Sequence, residues 1–221
     1  MKEYSIFQVM GPVMVGPSSS HTAGACRIAN SARNLCPFEF TRAVFILHGS
    51  FLMTYKGHGT DRALLAGILG IKPDDSRIIR AFDLADKAGL DYRFEKGDLG
   101  HVHPNSVKII LSNDQGDSFD LVGSSIGGGN IELIELDGNK ISFRNQFPTF
   151  ILQYQEQKGV IARVSRYISD AGYNIENIDT EKRGKSVTLS VELTHPAGED
   201  LKKQVLHSDL FNFAKYLDVV D

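Results

Sequence analysis

A chain of 221 residues can bury a sizeable hydrophobic core without disulfides or a structural metal. Its 42% hydrophobic and 23% charged residues are ordinary for a globular protein, and no apolar run approaches the ~18 residues of a membrane-spanning helix. A net charge of −3 and a pI of about 6.2 give no cationic footprint for a nucleic-acid backbone. Composition therefore excludes the mini-protein classes and argues against nucleic-acid and membrane partners.

Cysteine usage limits the cofactors that the chain can hold. The two cysteines are Cys26 and Cys36, and residues 1–7 lack the apolar core of a signal peptide. We therefore expect a cytoplasmic protein with two reduced thiols. Two thiols are too few to ligate an iron–sulfur cluster or an all-thiolate zinc ion by themselves.

The first two thirds of the chain predict a mixed α/β domain. Apolar residues recur at helical spacing after three serines, one of which we expect to cap the helix. Residues 43–48 predict a buried strand, and a glycine-broken loop then leads to a second helix that Thr60 or Asp61 should cap. The other predicted strands are residues 107–111, 119–122, 131–136 and 140–143, with a hairpin turn at 137–139.

A domain boundary is predicted at residues 145–148, which gives domains 1–147 and 148–221. Pro148 blocks helix continuation there, and a new alternating pattern follows it. The second domain predicts the order βαββαβ, which is that of a ferredoxin-like sandwich. Its predicted elements are strand 149–154, helix 160–171, strand 175–178, strand 186–193, a helix around 201–206 and strand 215–220. The fold class is therefore α/β (α+β).

Two segments of the first domain combine glycine with hydroxyl or imidazole groups. Residues 16–22 place three serines at a helix start, where hydroxyls and amides suit a carboxylate or other anion, although ordinary capping by one serine needs no ligand. His58 lies between two glycines. It is there either an acid or base that titrates near neutral pH or a mobile surface histidine.

Two further segments precede or follow strands. His101 and His103 alternate on a proline-stiffened stretch, which is a spacing compatible with metal binding, but no third ligand lies nearby and a surface turn is the alternative. Residues 123–130 predict a loop too long for a tight hairpin. A strand pattern follows its glycines, which argues against a phosphate-binding loop and leaves a flap over a site or a β-bulge corner.

Five segments together carry a family resemblance: residues 16–24, 48–50, 56–61, 103–105 and 125–129. In order and spacing they resemble the β subunit of bacterial iron–sulfur L-serine dehydratase. In that family an ACT domain, a small-molecule-sensing βαββαβ module, follows, so the resemblance covers essentially the whole chain. It implies elimination of water from L-serine and then hydrolysis of the enamine and imine to pyruvate and ammonia, without pyridoxal phosphate.

The same resemblance implies a partner and residue roles. In the family a 4Fe-4S cluster held by cysteines of the α part acts as the Lewis acid, so a chain with two cysteines implies a separate α subunit. His58 and His103 resemble the catalytic histidines, and either one could remove the Cα proton. The residues that resemble the L-serine site are Ser18, Ser19, Ser20, His21, Thr22, Thr60, Asp61 and Asn105.

The ACT resemblance implies a ligand site at the first β-to-α turn and at a subunit interface. Gln157 and Lys158 replace the acidic residue and proline common in that family, so the domain either senses an amino acid or only dimerises, and we expect a homodimer. The implied site residues are Gln157, Lys158, Gly159, Val160 and Asn174.

A non-catalytic interpretation stands beside the enzymatic one. The β fold also resembles the allosteric substrate-binding domain of some phosphoglycerate dehydrogenases, which makes a ligand-sensing regulatory subunit for a small amino or hydroxy acid the alternative. Because binding a carboxylate needs no proton acceptor, the histidine pair His58 and His103 favours catalysis.

Overall fold

The computed structural model describes residues 12–144 and 146–219. Residues 1–7, Asn145 and Val220, which enter the predictions above, lie outside them. The chain divides into two compact units between Asp137 and Gly138. This division precedes the boundary predicted at residues 147 and 148, because the strand that follows Gly138 contacts another strand of the second unit.

The first unit is a sheet packed with helices. A π-helical segment, Ser19–Gly24, leads directly into α1, Ala25–Leu35, and β1 follows at Arg42–Leu47. Next come α2 at Gly49–His58, α3 at Thr60–Ile68, a 3-10 helix at Ser76–Arg80, α4 at Ala81–Lys87 and β2 at Asp91–Lys96. The remaining strands of the unit are β3 at Ser106–Ser112, β4 at Ser118–Gly127 and β5 at Asn130–Leu136.

The strands of this unit lie in the order β2-β1-β3-β4-β5, with β1 and β2 parallel and the other neighbours antiparallel. Parallel strands need a long crossover, and the segment with α2, α3 and α4 supplies it. The residues predicted to form the apolar face of α1 are all fully buried, as are Phe45 on β1 and Ile109 on β3. The predicted helix, the predicted strands and the small sheet are therefore confirmed.

The glycine-broken loop predicted after β1 is wrong, because this segment is the helix α2. Among its apolar residues Phe51 is buried, whereas Met53 is 79% exposed, so the sequence lacks an amphipathic stripe. The predicted cap of the next helix is also wrong: α3 starts directly after Gly59, which has φ +67°, and no side chain caps it. Gly59 thus ends one helix and begins the other.

The long loop predicted at residues 123–130 is wrong as well. Strand β4 continues to Gly127, and Gly128 and Gly129, with φ of +61° and +80°, form the turn to Asn130. The pairing of β4 with β5 shifts register between Val122 and Gly123 and again between Ser125 and Gly127. The β-bulge alternative is therefore confirmed, and the flap alternative is not.

The second unit begins with β6, Asn139–Phe143, after a turn in which Asp137 and Gly138 both have positive φ, as predicted. Its other elements are β7 at Thr149–Gln155, α5 at Val160–Asp170, β8 at Ile175–Arg183, β9 at Ser186–Leu193, α6 at Glu199–Leu206 and β10 at Phe213–Leu217. From β7 onward the order is βαββαβ, and the antiparallel sheet runs β10-β7-β9-β8. The predicted ferredoxin-like order and the α/β class are confirmed.

The second unit has its own core. Phe150, Leu152 and Leu189 of β7 and β9 pack with Val164 and Ile168 of α5 in one cluster. Residues between them, Ile151, Thr188 and Ser190, are buried as well. The helical spacing of Val164 and Ile168 agrees with their shared buried face. In the described part of the chain, no helix is both long and apolar enough to cross a membrane.

Candidate active site

The π-helical segment turns the first predicted motif inward. Ser18 caps it, because its Oγ accepts the backbone N–H of His21 at 3.2 Å and also lies 3.4 Å from the His21 Nδ1. Single π-turns are rare and occur often at functional sites. His21 is only 9% exposed as a result, while the neighbouring residues Ser19 and Ser20 stay half-buried.

Helix α2 meets this segment at both of its ends. Near its start, the Ser50 Oγ lies 3.1 Å from the His21 Nε2. At its end, the His58 ring lies 4.7 Å from the His21 ring, and the Thr22 Oγ1 donates to the His58 carbonyl at 3.2 Å. Phe51 packs edge-on against His21 with ring centroids 5.3 Å apart. The rings of His21 and His58 are thus held next to each other by contacts with one short helix.

The segment of His103, Pro104 and Asn105 is tied to the same helix. The Pro104 carbonyl accepts the backbone N–H of Ser50 at 2.8 Å, and the Asn105 carbonyl accepts that of Ser125 at 2.8 Å. The His103 Nδ1 accepts the backbone N–H of Asn105 at 3.1 Å. His103 itself is exposed, and Asn105 is half-buried. Backbone hydrogen bonds therefore link this segment both to α2 and to β4.

Two glycines allow these segments to approach closely. A Cβ on Gly24 would lie 2.0 Å from the Ser125 Oγ, and a Cβ on Gly49 would lie 2.6 Å from the Pro104 carbonyl oxygen. Gly49 also has φ +53°, a conformation that L side chains rarely adopt. Each glycine permits a close approach that a side chain would block. The five segments, which are separate in sequence, therefore pack together in the first unit.

A cavity of about 240 Å³ opens beside His58. Its polar lining comes from Thr22, His58 and Arg62, and its other walls are largely apolar. Within the described chain, the buried atoms without a hydrogen-bond partner include the His58 Nδ1, Thr60 Oγ1 and Ser125 Oγ. Buried polar atoms are nearly always satisfied in native proteins, so the unpaired Nδ1 of His58, a residue that lines this cavity, indicates a place for a ligand.

Asp61 lies just beyond this histidine. It is half-buried, and its Oδ1 accepts the backbone N–H of Arg62 at 2.8 Å. Burial raises the pKa of the Asp61 carboxyl above its usual range.

Comparison with known proteins places this geometry in a family. The family model of the serine dehydratase beta chain matches residues 5–93. The "L-serine dehydratase, beta chain" of Peptoniphilus asaccharolyticus is 50% identical over 222 residues, which cover 99% of this chain and 100% of the relative. The chain belongs to the L-serine dehydratase β chains. A "Probable L-serine dehydratase, beta chain" of Bacillus subtilis is 39% identical over 87% of this β chain and 88% of the relative.

A weaker similarity reaches another class of enzyme. A D-3-phosphoglycerate dehydrogenase of Methanocaldococcus jannaschii is 26% identical over 148 residues, which cover 65% of this β chain but 28% of the relative. That share corresponds to a part of the larger enzyme.

The cysteines of this β chain do not fit an iron–sulfur cluster. The Cys26 Sγ is buried and donates to the Ile71 carbonyl at 3.2 Å, and burial raises the pKa of its thiol to about 12. Cys36 is also buried, and its Sγ donates to the Phe38 carbonyl at 3.3 Å. Across the described residues, no group of three or more His, Cys, Asp or Glu side chains is placed to hold a metal ion.

We expect Cys26 to resist alkylation in the folded β chain, because the thiolate is the reactive species and a buried thiol with a pKa of about 12 provides very little of it. Iodoacetamide labelling followed by peptide mass spectrometry checks this, with the urea-unfolded chain as the control. Labelling of Cys26 at the same rate in folded and unfolded chains would contradict the burial on which the cluster argument rests.

The environment of His21 keeps its ring neutral. Burial lowers the pKa of His21 below its ordinary value of 6.5, and the neighbouring His58 ring lowers it further. Two imidazolium rings in van der Waals range would repel each other, which is the reason for the second effect.

Acidification should therefore destabilise the fold through His21. Below pH 6.5 the unfolded chain binds a proton at this position that the folded chain does not, so stability is full above 6.5 and falls as the pH falls through this window. We expect the urea midpoint of the wild type to drop more between about pH 7.5 and about pH 5.5 than that of His21→Gln. Equal drops in both proteins would contradict the prediction.

The predicted ACT ligand residues belong to the second unit, where Gln157, Lys158 and Gly159 are exposed in the turn before α5 and Val160 is buried at its start. Asn174 is exposed, and its carbonyl accepts the backbone N–H of Thr194 at 3.2 Å.

Sequence reasoning assigned no role to Ser50 or Ser125, although both contact the predicted site. The signal was present, because each lies in one of the five segments that carry the family resemblance. A serine in such a segment gives no indication of its partner until the fold is known.

Proposed function

We propose that this β chain carries the proton-transferring groups of an L-serine dehydratase and, with a cluster-bearing α subunit, converts L-serine to pyruvate and ammonia. The observation that carries the proposal is the junction of His58, His21 and Thr22 with the His103 segment through the first turn of α2. The relatives reported above are β chains of this enzyme, which supports the same substrate.

Geometry favours His58 as the base. Its Nδ1 has no hydrogen-bond partner among the described residues, and its side chain borders the cavity. His103 uses its Nδ1 lone pair to accept the Asn105 N–H, so its neutral ring carries the proton on Nε2 and presents a donor. Thus His58 takes the Cα proton, and His103 donates a hydrogen bond to the substrate.

The reaction then balances without a redox step. The Cα proton moves to His58, and the bond between Cβ and the hydroxyl oxygen breaks. The departing hydroxide takes up the proton that His58 gained, so that water and 2-aminoacrylate are released and His58 is again a free base. This enamine tautomerises to an imine, which water hydrolyses to pyruvate and ammonia.

The hydroxyl groups at the start of the π-helical segment are the proposed substrate-binding groups. We propose that Ser19 and Ser20, with the Asn105 carboxamide, donate hydrogen bonds to the L-serine carboxylate, while Ser18 and Thr22, whose hydroxyls contact the His21 ring and the His58 carbonyl, line the same pocket. His21 shapes the pocket beside them, and Thr60 and Asp61 lie just beyond His58 on the next helix. The buried Thr60 hydroxyl, which lacks a partner in the described chain, supports its assignment to this pocket.

The cofactor belongs to the partner in this proposal. Because Cys26 and Cys36 do not fit a cluster, the 4Fe-4S cluster and all its ligands come from the cysteine-containing α subunit. The cytoplasmic location, where both subunits would meet, stays a prediction.

Anaerobic co-expression with a cysteine-containing α subunit tests the proposal. We expect pyruvate from L-serine with the complex and none with the β chain alone. A complex that assembles with its cluster intact yet stays inactive would overturn the catalytic proposal. The regulatory alternative, which the similarity to a phosphoglycerate dehydrogenase supports, would then be tested by titrating L-serine into the β chain alone.

For the second unit we propose an ACT domain that brings two β chains together. Its sheet ends in the edge strands β10 and β8, and such domains pair through sheet edges and helices. Light scattering of the full β chain should give the mass of a homodimer, and a monomer would contradict this. Titrating L-serine into the Lys158→Ala variant tests whether the domain also senses an amino acid. If it does, the variant should bind L-serine more weakly than the wild type. If the domain only dimerises, L-serine binding and the dimer mass should both be unchanged.

A further inference from the structure

We propose that Ser50 is a positioning residue that holds the His21 ring in one orientation, with the ring proton on Nε2. The proposal rests on the proposed function in that it concerns the same site. It assigns a role to a residue that contacts neither the cavity lining nor the histidines proposed for proton transfer.

The hydrogen-bond pattern around His21 carries the assignment of its proton. The Ser18 Oγ accepts the backbone N–H of His21 at 3.2 Å, which leaves the Ser18 hydroxyl proton available for the ring Nδ1 at 3.4 Å. In the arrangement that we propose, Ser18 donates to Nδ1, and Nε2 carries the ring proton and donates it to the Ser50 Oγ at 3.1 Å. One serine hydroxyl thus contacts each ring nitrogen of His21.

Packing leaves the ring no other arrangement of comparable quality. His21 is 9% exposed and lies between the rings of Phe51 and His58, at 5.3 Å and 4.7 Å. A flipped ring in this position would lose both serine hydrogen bonds and would leave buried polar atoms unpaired, which is unfavourable. The Ser50 hydroxyl therefore helps to fix the orientation of the His21 ring.

Ser50 is itself held at a fixed place. Its backbone N–H donates to the Pro104 carbonyl at 2.8 Å, and its own carbonyl accepts the Thr54 Oγ1 at 2.8 Å. The residue therefore joins the His103 segment to the pair of His21 and His58 through one backbone bond and one side-chain bond. Through Ser50, a displacement of the His103 segment would therefore also displace the His21 ring.

Nitrogen-detected NMR of the imidazole rings in the full β chain tests the assignment directly. We expect the wild type to show His21 as one neutral tautomer protonated at Nε2, and Ser50→Ala to show a mixture of tautomers. Ser50→Thr keeps a hydroxyl and should restore the single tautomer. Ser31→Ala removes a buried hydroxyl that donates to the Arg27 carbonyl at 2.9 Å, away from the site, and should leave His21 unchanged.

Two results would overturn the proposal: a wild-type ring protonated at Nδ1, or a Ser50→Ala spectrum in which the His21 tautomer is unchanged. The complex with the α subunit gives a second readout. There Ser50→Ala should raise KM about 10-fold with little change in kcat, because the proposed function gives His21 a role in shaping the substrate pocket and none in proton transfer. An inactive wild-type complex would contradict the proposed function, while the NMR result would still decide the role of Ser50.

Discussion

Gly49→Ala should fold but lose most of the activity of the reconstituted complex. The new Cβ would lie 2.6 Å from the Pro104 carbonyl oxygen and 2.8 Å from the Pro104 Cα, both of which belong to the backbone and cannot rotate away. The His103 segment must then move away from α2, which breaks the bond between the Ser50 N–H and the Pro104 carbonyl. A displacement of about 1 Å at a reacting group costs about 10²-fold in rate, and we expect a loss of this size in kcat/KM.

Gly89→Ala provides the matched control for this variant. Gly89 has φ +67°, close to the +53° of Gly49, but a Cβ at this position would meet no neighbouring atom within 4 Å. Both variants should lose about 1–2 kcal/mol in urea unfolding from the left-handed backbone, and Gly49→Ala should lose about 1–3 kcal/mol more from the collision. Equal activity and equal stability in the two variants would show that the close approach at Pro104 has no functional consequence.

The second unit was the part of the fold most accessible from sequence. Strand β9 alternates strictly between apolar and polar residues, and α5 places Val160, Val164 and Ile168 on one face, so both elements are recognisable from their period, although the polar residues Thr188 and Ser190 of β9 are buried too. The ferredoxin-like order follows from these local signals because every element has a period of its own.

The first unit contains two elements that local sequence patterns did not predict. Helix α2 was missed because its stability depends on contacts made at its two ends: Ser50 with Pro104 at the start and the His58 carbonyl with Thr22 at the end. Strand β2 was also missed, because its alternating pattern carries only two apolar residues, Tyr92 and Phe94, which are half-buried at the sheet edge. Neither α2 nor β2 has the buried apolar stripe by which a helix or strand is recognised in a sequence.

The candidate site divides in the same way. The segments with His21, His58 and His103 were identified from residue types and family resemblance, and the structure joins them in one unit. The hydrogen-bond partners were not predictable, because Ser50 lies 29 residues from His21 in sequence and the close contact of Gly24 with Ser125 crosses from a helix to a strand. Residue types indicate possible chemistry, and only the fold selects the pairs.

His58→Ala should fold as the wild type does and lose about 10²-fold or more of kcat in the reconstituted complex, which is the usual contribution of a general base. The side chain is half-buried at the last position of α2, and its backbone carbonyl, which Thr22 contacts, is unaffected by the change. Alanine is also a strong helix former, so α2 should persist. Circular dichroism and urea unfolding check the fold, and pyruvate formation checks the rate.

His103→Ala should also fold and lose activity, and two further measurements separate the roles of these histidines. His101→Ala, on the same exposed segment, is the surface control and should keep wild-type activity. Added imidazole can enter the cavity of about 240 Å³ beside position 58, so it should partly restore His58→Ala by accepting the proton. It should not restore His103→Ala, whose lost ring also held the Asn105 backbone through its Nδ1. Rescue of His103→Ala instead would exchange the two roles, and full activity in both variants would overturn the catalytic proposal.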